Sequence, residues 1–428
     1  MHGYRPTMFR GVGAFFVAAF ALALTAVPAQ ASARAQFGVQ DDAWLMYGPG
    51  TLSQRLTTLD SLGVAVVRLT LRFDQVAPKK PTSPRNPDDY DWGVFGETLD
   101  ALHAQHMTVL ITLYGAPRWA NGGRTPATLP TSGFGNFAYA AARRFPWVHL
   151  WTAWNEPNSR TFAVPVSPSL YVHDVLNPAY AALHEASAAN KLAGGVTSPR
   201  QTPSGMAPLA FMEGMRAAHA RLDAYAQNPY PVDKFETPSH ATCDACATFT
   251  MAKLPEIRAA VTRNFGSKPL WLTEYGYQTN PPDRLLGVSY ALQAAYIGQA
   301  AYRVWAQPGV TLLIQFLIRD EPSLGGWQSG LFTTAGTAKL SYHAFALPLV
   351  QVSRHGSSVE LWGQVRPGSG PRDYAIQRAT AAGWATVGGT KQTGRGGIFL
   401  RTLALPVGAR VRLWAPAIGW ASPPLKLS

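Results

Sequence analysis

The amino-acid sequence predicts an α/β fold: a (β/α)8 TIM barrel followed by a small C-terminal all-β sandwich. Three observations carry that expectation. Eight short β-rich apolar runs alternate with amphipathic helical stretches, no glycine-rich turn follows the first run, and the texture changes beyond about residue 350 to short alternating strands with Gly and Pro turns. Strict alternation calls for a parallel sheet with helices outside it, and eight units suit a closed barrel better than an open doubly wound sheet. The missing glycine-rich turn counts against a dinucleotide site.

The runs lie at 36–40, 64–71, 108–113, 148–154, 192–196, 222–226, 270–273 and 311–317. Each is apolar and short, as strands buried on both faces are. Helical periodicity is expected over 52–62, 92–105, 134–144, 178–190, 209–220, 253–264 and 289–305. In the tail, strands are expected at 359–365, 374–378, 398–403 and 410–414. The boundary falls near 348–356, giving a barrel domain over 32–349 and an accessory sandwich over 350–428.

Ahead of the barrel, residues 1–31 have the pattern of an export signal: Arg5 and Arg10, an apolar stretch over 11–27, and Ala29-Gln30-Ala31 as a small-x-small cleavage site. A secreted, extracellular protein is therefore expected. No other segment stays apolar for the roughly 20 residues of a spanning helix, so no stable membrane span is expected. With 47% hydrophobic and 14% charged residues the chain has the make-up of a globular protein with a large core. The two cysteines, Cys243 and Cys246, are expected to form a small loop disulfide, because no second pair completes a zinc site and export implies an oxidising compartment. No clustered His, Cys and carboxylate spacing points to a metal, and no cofactor is expected. His103, His106, His149 and His173 lie on expected helices or near strand starts and are assigned structural roles.

The net charge is +13. Residues 351–428 hold ten Lys or Arg against Glu360 and Asp373. Such an excess favours long-range attraction to an anionic glycan or cell envelope, or is simply a solvated basic surface. Nucleic acid is not an expected partner.

A barrel places its chemistry at the carboxyl ends of its strands. Two of those ends carry a glutamate: Trp154-Asn155-Glu156-Pro157 after the fourth run and Thr273-Glu274-Tyr275 after the seventh. Strands four and seven face one another across a closed barrel, so both side chains can reach one bound molecule. Glycoside cleavage needs such a pair, with one carboxyl protonated to serve the leaving oxygen and one ionised to attack or stabilise the anomeric centre.

These segments resemble the paired signatures of clan A glycoside hydrolases, with a flavour of families 39 and 5. The resemblance spans the barrel, about 35–348. It implies a retaining enzyme acting on an extracellular poly- or oligosaccharide, with Glu156 as acid/base and Glu274 as nucleophile. It further implies that Arg68, in Val67-Arg68-Leu69, hydrogen-bonds the nucleophile, that Asn155 meets the 2-hydroxyl, and that Trp119, in Tyr114-Gly115-Ala116-Pro117-Arg118-Trp119, lines the sugar site. After strand six, Asn228-Pro229-Tyr230 stands where such enzymes often carry His-x-Tyr, leaving Tyr230 to bond the nucleophile. Strand eight lacks the usual tryptophan and offers Gln315, Phe316, Arg319 and Asp320, with Trp327 in the next loop. Of the loop aromatics Trp44, Trp119, Tyr275, Tyr277 and Trp327, two or three are expected to stack on a sugar ring. The alternative is a catalytically silent glycan-binding or envelope-adhesion protein on the same barrel. Transglycosylation shares the covalent intermediate and is not separable from hydrolysis by sequence.

Overall fold

A computed structural model describes residues 35–428. The expected export signal lies outside the described residues. Eight parallel strands close into a barrel in sequence order: β1 (Gln36–Gln40), β2 (Val66–Arg72), β3 (Thr108–Tyr114), β4 (Leu150–Ala153), β5 (Lys191–Thr197), β6 (Ala224–Gln227), β7 (Leu270–Tyr275) and β8 (Val310–Phe316). Pairing of Gln36 to Gln40 with Leu312 to Phe316 joins β8 back to β1. Each expected strand is present within two residues at its start.

Alternation of side chains along the strands gives two apolar compartments. Val66, Leu110, Ala193, Ala224, Ala226, Trp271, Leu312 and Ile314 fill the inside of the barrel. The outward-facing set packs on the helices, among them Leu52–Ser61, Gly93–Ala104, Phe134–Arg144, Asn177–Ala186 and Tyr290–Ala306. Their starts are locally encoded: Thr51 and Gln54 form a reciprocal capping box, and the Ser289 hydroxyl accepts from the Leu292 N–H. Gly38 is required where β1 meets β2, since a Cβ there would lie 2.2 Å from the Val66 carbonyl oxygen.

The C-terminal module consists of two antiparallel sheets. One holds β9 (Leu349–His355), β10 (Ser358–Gln364) and β13 (Ile398–Ala404); the other holds β11 (Asp373–Thr380), β12 (Gly383–Gln392), β14 (Arg410–Ala415), β15 (Trp420–Ala421) and β16 (Leu425–Lys426). Strands β9, β12 and the two-residue β15 and β16 are absent from the sequence-based expectation. β9 occupies the segment expected to be the boundary, and β12 is largely exposed and glycine-containing, without an apolar alternation to announce it.

The module is joined to the barrel by a shared core. Trp362 is fully buried and packs against Trp305 and Tyr302 of the helix Tyr290–Ala306, with ring centroids 5.9 Å apart in each case. Arg366 is buried between Phe37 and Phe345, its guanidinium 4.0 and 4.4 Å from the ring centres. Burial pulls its pKa down to about 9. Phe37 lies at the start of β1, so this contact is at the end of the barrel opposite to its catalytic-looking face. Cys243 and Cys246 form a disulfide in the exposed loop between β6 and β7. Among the described residues no helix is long and apolar enough to cross a membrane.

Candidate active site

At the carboxyl ends of the strands lies a cavity of about 650 Å3, with Glu156 and Glu274 both in its wall. Glu274, on β7, is buried. Its Oε1 meets Arg68 Nη1 at 2.5 Å, and its Oε2 accepts from the Tyr230 hydroxyl at 3.1 Å. Burial raises the Tyr230 pKa well above its ordinary value, so the hydroxyl stays a donor.

Arg68 is buried and bonded through all three of its nitrogens. Besides Glu274, it donates to Gln40 Oε1 at 2.5 Å, Thr112 Oγ1 at 2.8 Å, the Thr273 carbonyl at 2.9 Å and Asn155 Oδ1 at 3.1 Å. Five acceptors from β1, β3, β7 and the β4 end thus hold one guanidinium, which holds the carboxylate. A buried charge needs such pairing to be tolerated. Because Asn155 Oδ1 is taken, its Nδ2 remains as the group able to donate to a ligand.

Glu156 sits in a different environment. Its Oε1 accepts from Asn228 Nδ2 at 3.1 Å, and Asn228 Oδ1 in turn accepts from Thr273 Oγ1 at 2.8 Å. Burial, then repulsion from Glu274, pushes the Glu156 pKa up to about 8, against the opposing pull of Asn228, Arg68 and Arg200. One carboxyl is therefore protonated at neutral pH beside one held by an arginine. The backbone here is strained: Trp154 and Glu156 have φ of 68° and 42°, a left-handed region costly for side chains of this size. The Trp154 N–H to the Leu113 carbonyl (2.8 Å) and the Glu156 N–H to the Val196 carbonyl (2.9 Å) hold that turn in place.

The structure brings Arg68, Asn155, Glu156, Asn228, Tyr230 and Glu274 together, and Tyr277 and Trp327 also line the cavity. Trp327 is braced on Tyr230 and Phe316, with centroids 4.8 and 5.7 Å away. Three of the expected aromatics lie elsewhere. Tyr275 follows Glu274 on the same strand and so points outward, where it is buried against Tyr277 beside the helix Tyr290–Ala306. Trp119 turns back behind the cavity wall, donating to the Ala77 carbonyl at 2.9 Å and packing edge-on against Phe73. Trp44 is half-buried against the core rather than in the cavity. Asp320 is tied to Lys339 at 2.7 Å in a buried pair, and Arg319 bonds the Thr334 carbonyl, so neither faces a ligand. His103 stacks on Trp147 and His149 contacts Asn190, both away from the cavity.

Gln40, Thr112 and Thr273 are the residues that sequence reasoning missed. Their side chains are ordinary hydrogen-bonding groups, and only their place near strand ends could have singled them out. Among the described residues no group of three or more His, Cys, Asp or Glu side chains is arranged to hold a metal.

The sequence matches no protein-family model and no curated protein. Solved structures match the fold. A family 39 glycoside hydrolase from Bacteroides cellulosilyticus WH2 aligns with TM-score 0.59 and 16% identity, covering 87% of this chain and 80% of that one. A monomeric beta-xylosidase from Caulobacter crescentus CB15 aligns with TM-score 0.58 and 14% identity, covering 90% and 96%. A glucosidase from Croceicoccus marinus aligns with TM-score 0.58 and 14% identity, covering 89% and 95%. These likenesses show the fold, an eight-stranded parallel barrel followed by antiparallel sheets. The fold is similar to that of the family 39 glycoside hydrolase structure, a barrel bearing a β-sandwich.

Proposed function

We propose that the protein is a retaining glycoside hydrolase in which Glu274 is the nucleophile and Glu156 the acid/base. The observation that carries this reading is the unequal treatment of two carboxyl groups in one cavity: Glu274 bonded to buried Arg68 and Tyr230, Glu156 raised to about 8. Environments that push two carboxyls apart define an acid and a nucleophile. In the first step a Glu274 oxygen attacks the anomeric carbon, the bond to the leaving oxygen breaks, and Glu156 gives that oxygen its proton. In the second, Glu156 takes a proton from water as the water displaces Glu274, releasing the sugar with its configuration retained. Asn155 Nδ2 is placed to donate to a hydroxyl of the sugar, and Trp327 to lie against a ring face. The basic C-terminal module carries exposed Arg378, Lys391, Arg395, Arg410 and Lys426, suited to adhesion of a secreted enzyme to an anionic glycan or envelope. The test is trapping with 2-deoxy-2-fluoro glycosides followed by peptide mass spectrometry. A sugar adduct on Glu274 is expected. An adduct on another residue, or hydrolysis with inverted configuration by proton NMR, would overturn the assignment.

A further inference from the structure

Gln40, Asp42, Thr70 and Arg72, from β1, β2 and the turn after β1, form one polar wall of the cavity. Side chains alternate along a strand, so Arg68, Thr70 and Arg72 share the inward face of β2 with Val66, each about 7 Å further toward the mouth than the last. Asp42 stands at the middle step. Its Oδ1 accepts from the Thr70 N–H at 2.6 Å and its Oδ2 from Gln40 Nε2 at 2.9 Å. The oxygen of the same Gln40 carboxamide accepts from Arg68, which holds Glu274. Asp42 is therefore fixed from behind and linked through Gln40 and Arg68 to the nucleophile.

A carboxylate has about four acceptor sites, and the protein uses two of those on Asp42. The side chain is half-buried in the cavity wall, and among the described residues no Lys, Arg or His pairs with it. Arg72, at the rim, is paired with Asp74 at 2.8 Å instead. The three other non-catalytic carboxyl groups of the wall hold their own loops together. Asp41 accepts from the N–H groups of Trp44, Ile318 and Arg319, and Asp233 from those of Phe235 and Glu236 and from the Thr242 hydroxyl. Glu321 accepts from the Trp327 N–H at 2.6 Å in the loop that carries that ring. Asp42 is thus the acceptor left for a ligand, and its place decides which part of a sugar it meets. Arg68 bonds Asn155 through Nη2 and Gln40 through Nη1, so Asn155 and Asp42 are reached from different arms of one guanidinium. A ring with its anomeric carbon at Glu274 and its 2-hydroxyl at Asn155 meets Asp42 only with a hydroxyl remote from the reacting bond, at C3 or beyond.

We infer that Asp42 is a specificity-determining residue: its carboxylate accepts from a sugar hydroxyl at C3 or beyond, so the ring lying against Glu274 must carry that hydroxyl unsubstituted. This rests on the hydrolase reading and deepens it. A site built to bond a hydroxyl rejects the analogue that lacks it, because its own polar group is then left unpaired. The test takes the sugar that is cleaved best from a panel of α- and β-linked aryl hexosides and pentosides, followed by its 2-, 3-, 4- and, for a hexose, 6-deoxy analogues. In the unmodified protein one analogue other than the 2-deoxy compound is expected to lose about 10- to 150-fold in kcat/KM, the range for a hydrogen bond to a charged group. In Asp42→Ala that one ratio falls toward one, while the 2-deoxy loss is unchanged. Equal kcat/KM for the parent and all its analogues deoxygenated beyond C2 would overturn the proposal, whether or not the variant folds. So would a folded Asp42→Ala protein that keeps the loss. Binding of the free parent and deoxy sugars, followed by tryptophan fluorescence, separates the proposal from the reading on which it rests. Binding that depends on one such hydroxyl and on Asp42, without turnover of any glycoside, would sink the hydrolase assignment and keep the role of Asp42. Turnover indifferent to every hydroxyl beyond C2 would sink that role and keep the hydrolase; neither binding nor cleavage of any sugar in the panel would sink both.

Discussion

Replacing Thr273 by valine preserves side-chain shape while removing one hydroxyl, and the consequence is expected at the opposite carboxyl of the site. The hydroxyl donates to Asn228 Oδ1 at 2.8 Å, and this bond orients the carboxamide so that Nδ2 faces Glu156 Oε1 at 3.1 Å. Without it, Asn228 Oδ1 is a buried acceptor lacking its donor, which costs about 1–3 kcal/mol, and nothing then holds the amide against rotation. Rotation brings an oxygen to Glu156, where it repels the carboxylate and accepts from the protonated acid. A hydrogen bond to a charged group contributes about 1.5–3 kcal/mol, and one pH unit corresponds to about 1.36 kcal/mol. The acid/base, already pushed up to about 8, therefore moves up by about one to two pH units. The assay is the pH profile of kcat/KM with a substrate whose poor leaving group needs the acid, since its alkaline limb reports the free-enzyme acid. That limb is expected to shift from about 8 to about 9 or 10 in the valine variant and to stay in place in Thr273→Ser. An unmoved limb, or one displaced to lower pH, would refute the reasoning.

Other outcomes follow from the same structure. Arg68→Met leaves Glu274 buried without its cation, a change that costs about 3–5 kcal/mol; with an unfolding entropy near 2.1 cal/mol/K per residue, calorimetry should show Tm about 4–6 °C lower, and an unchanged Tm would refute the pairing. Asp41 is raised from 3.8 to about 6 by burial, against the pull of the N–H groups of Arg319, Trp44 and Ile318. Its unfolded form ionises first, so the stability it contributes is present below about pH 4 and lost as the pH rises through about 6. About 3 kcal/mol is at stake, and Asp41→Asn should flatten the fall in Tm between those values; an unaltered slope would contradict the assignment. For the tail, Arg378→Glu, Lys391→Glu and Arg395→Glu together should weaken retention on an anionic polysaccharide in low salt while leaving Tm within about 1 °C, because screening beyond about 8 Å at physiological ionic strength governs such exposed charges. Retention equal to that of the unmodified protein would show that these charges do not bind it. Deleting residues 351–428, by contrast, uncovers Trp305 and Phe345 and should give insoluble protein.

Periodicity alone determined the order of the eight barrel strands, because buried parallel strands read as apolar runs and their helices as amphipathic ones. It also placed Glu156 and Glu274, since strand ends are local features. Which neighbours each side chain meets is decided only on closure of the barrel. Tyr275 and Glu274 are adjacent in sequence yet face opposite compartments, and Trp119 follows its loop back to Ala77 instead of into the cavity. Gln40, Thr112 and Thr273 acquire their roles by converging from β1, β3 and β7 on groups at the same site, across separations that no sequence window spans. The raised pKa of Glu156 is likewise tertiary, arising from burial and repulsion by Glu274, and Glu274 itself is bonded to an arginine 206 residues away in sequence.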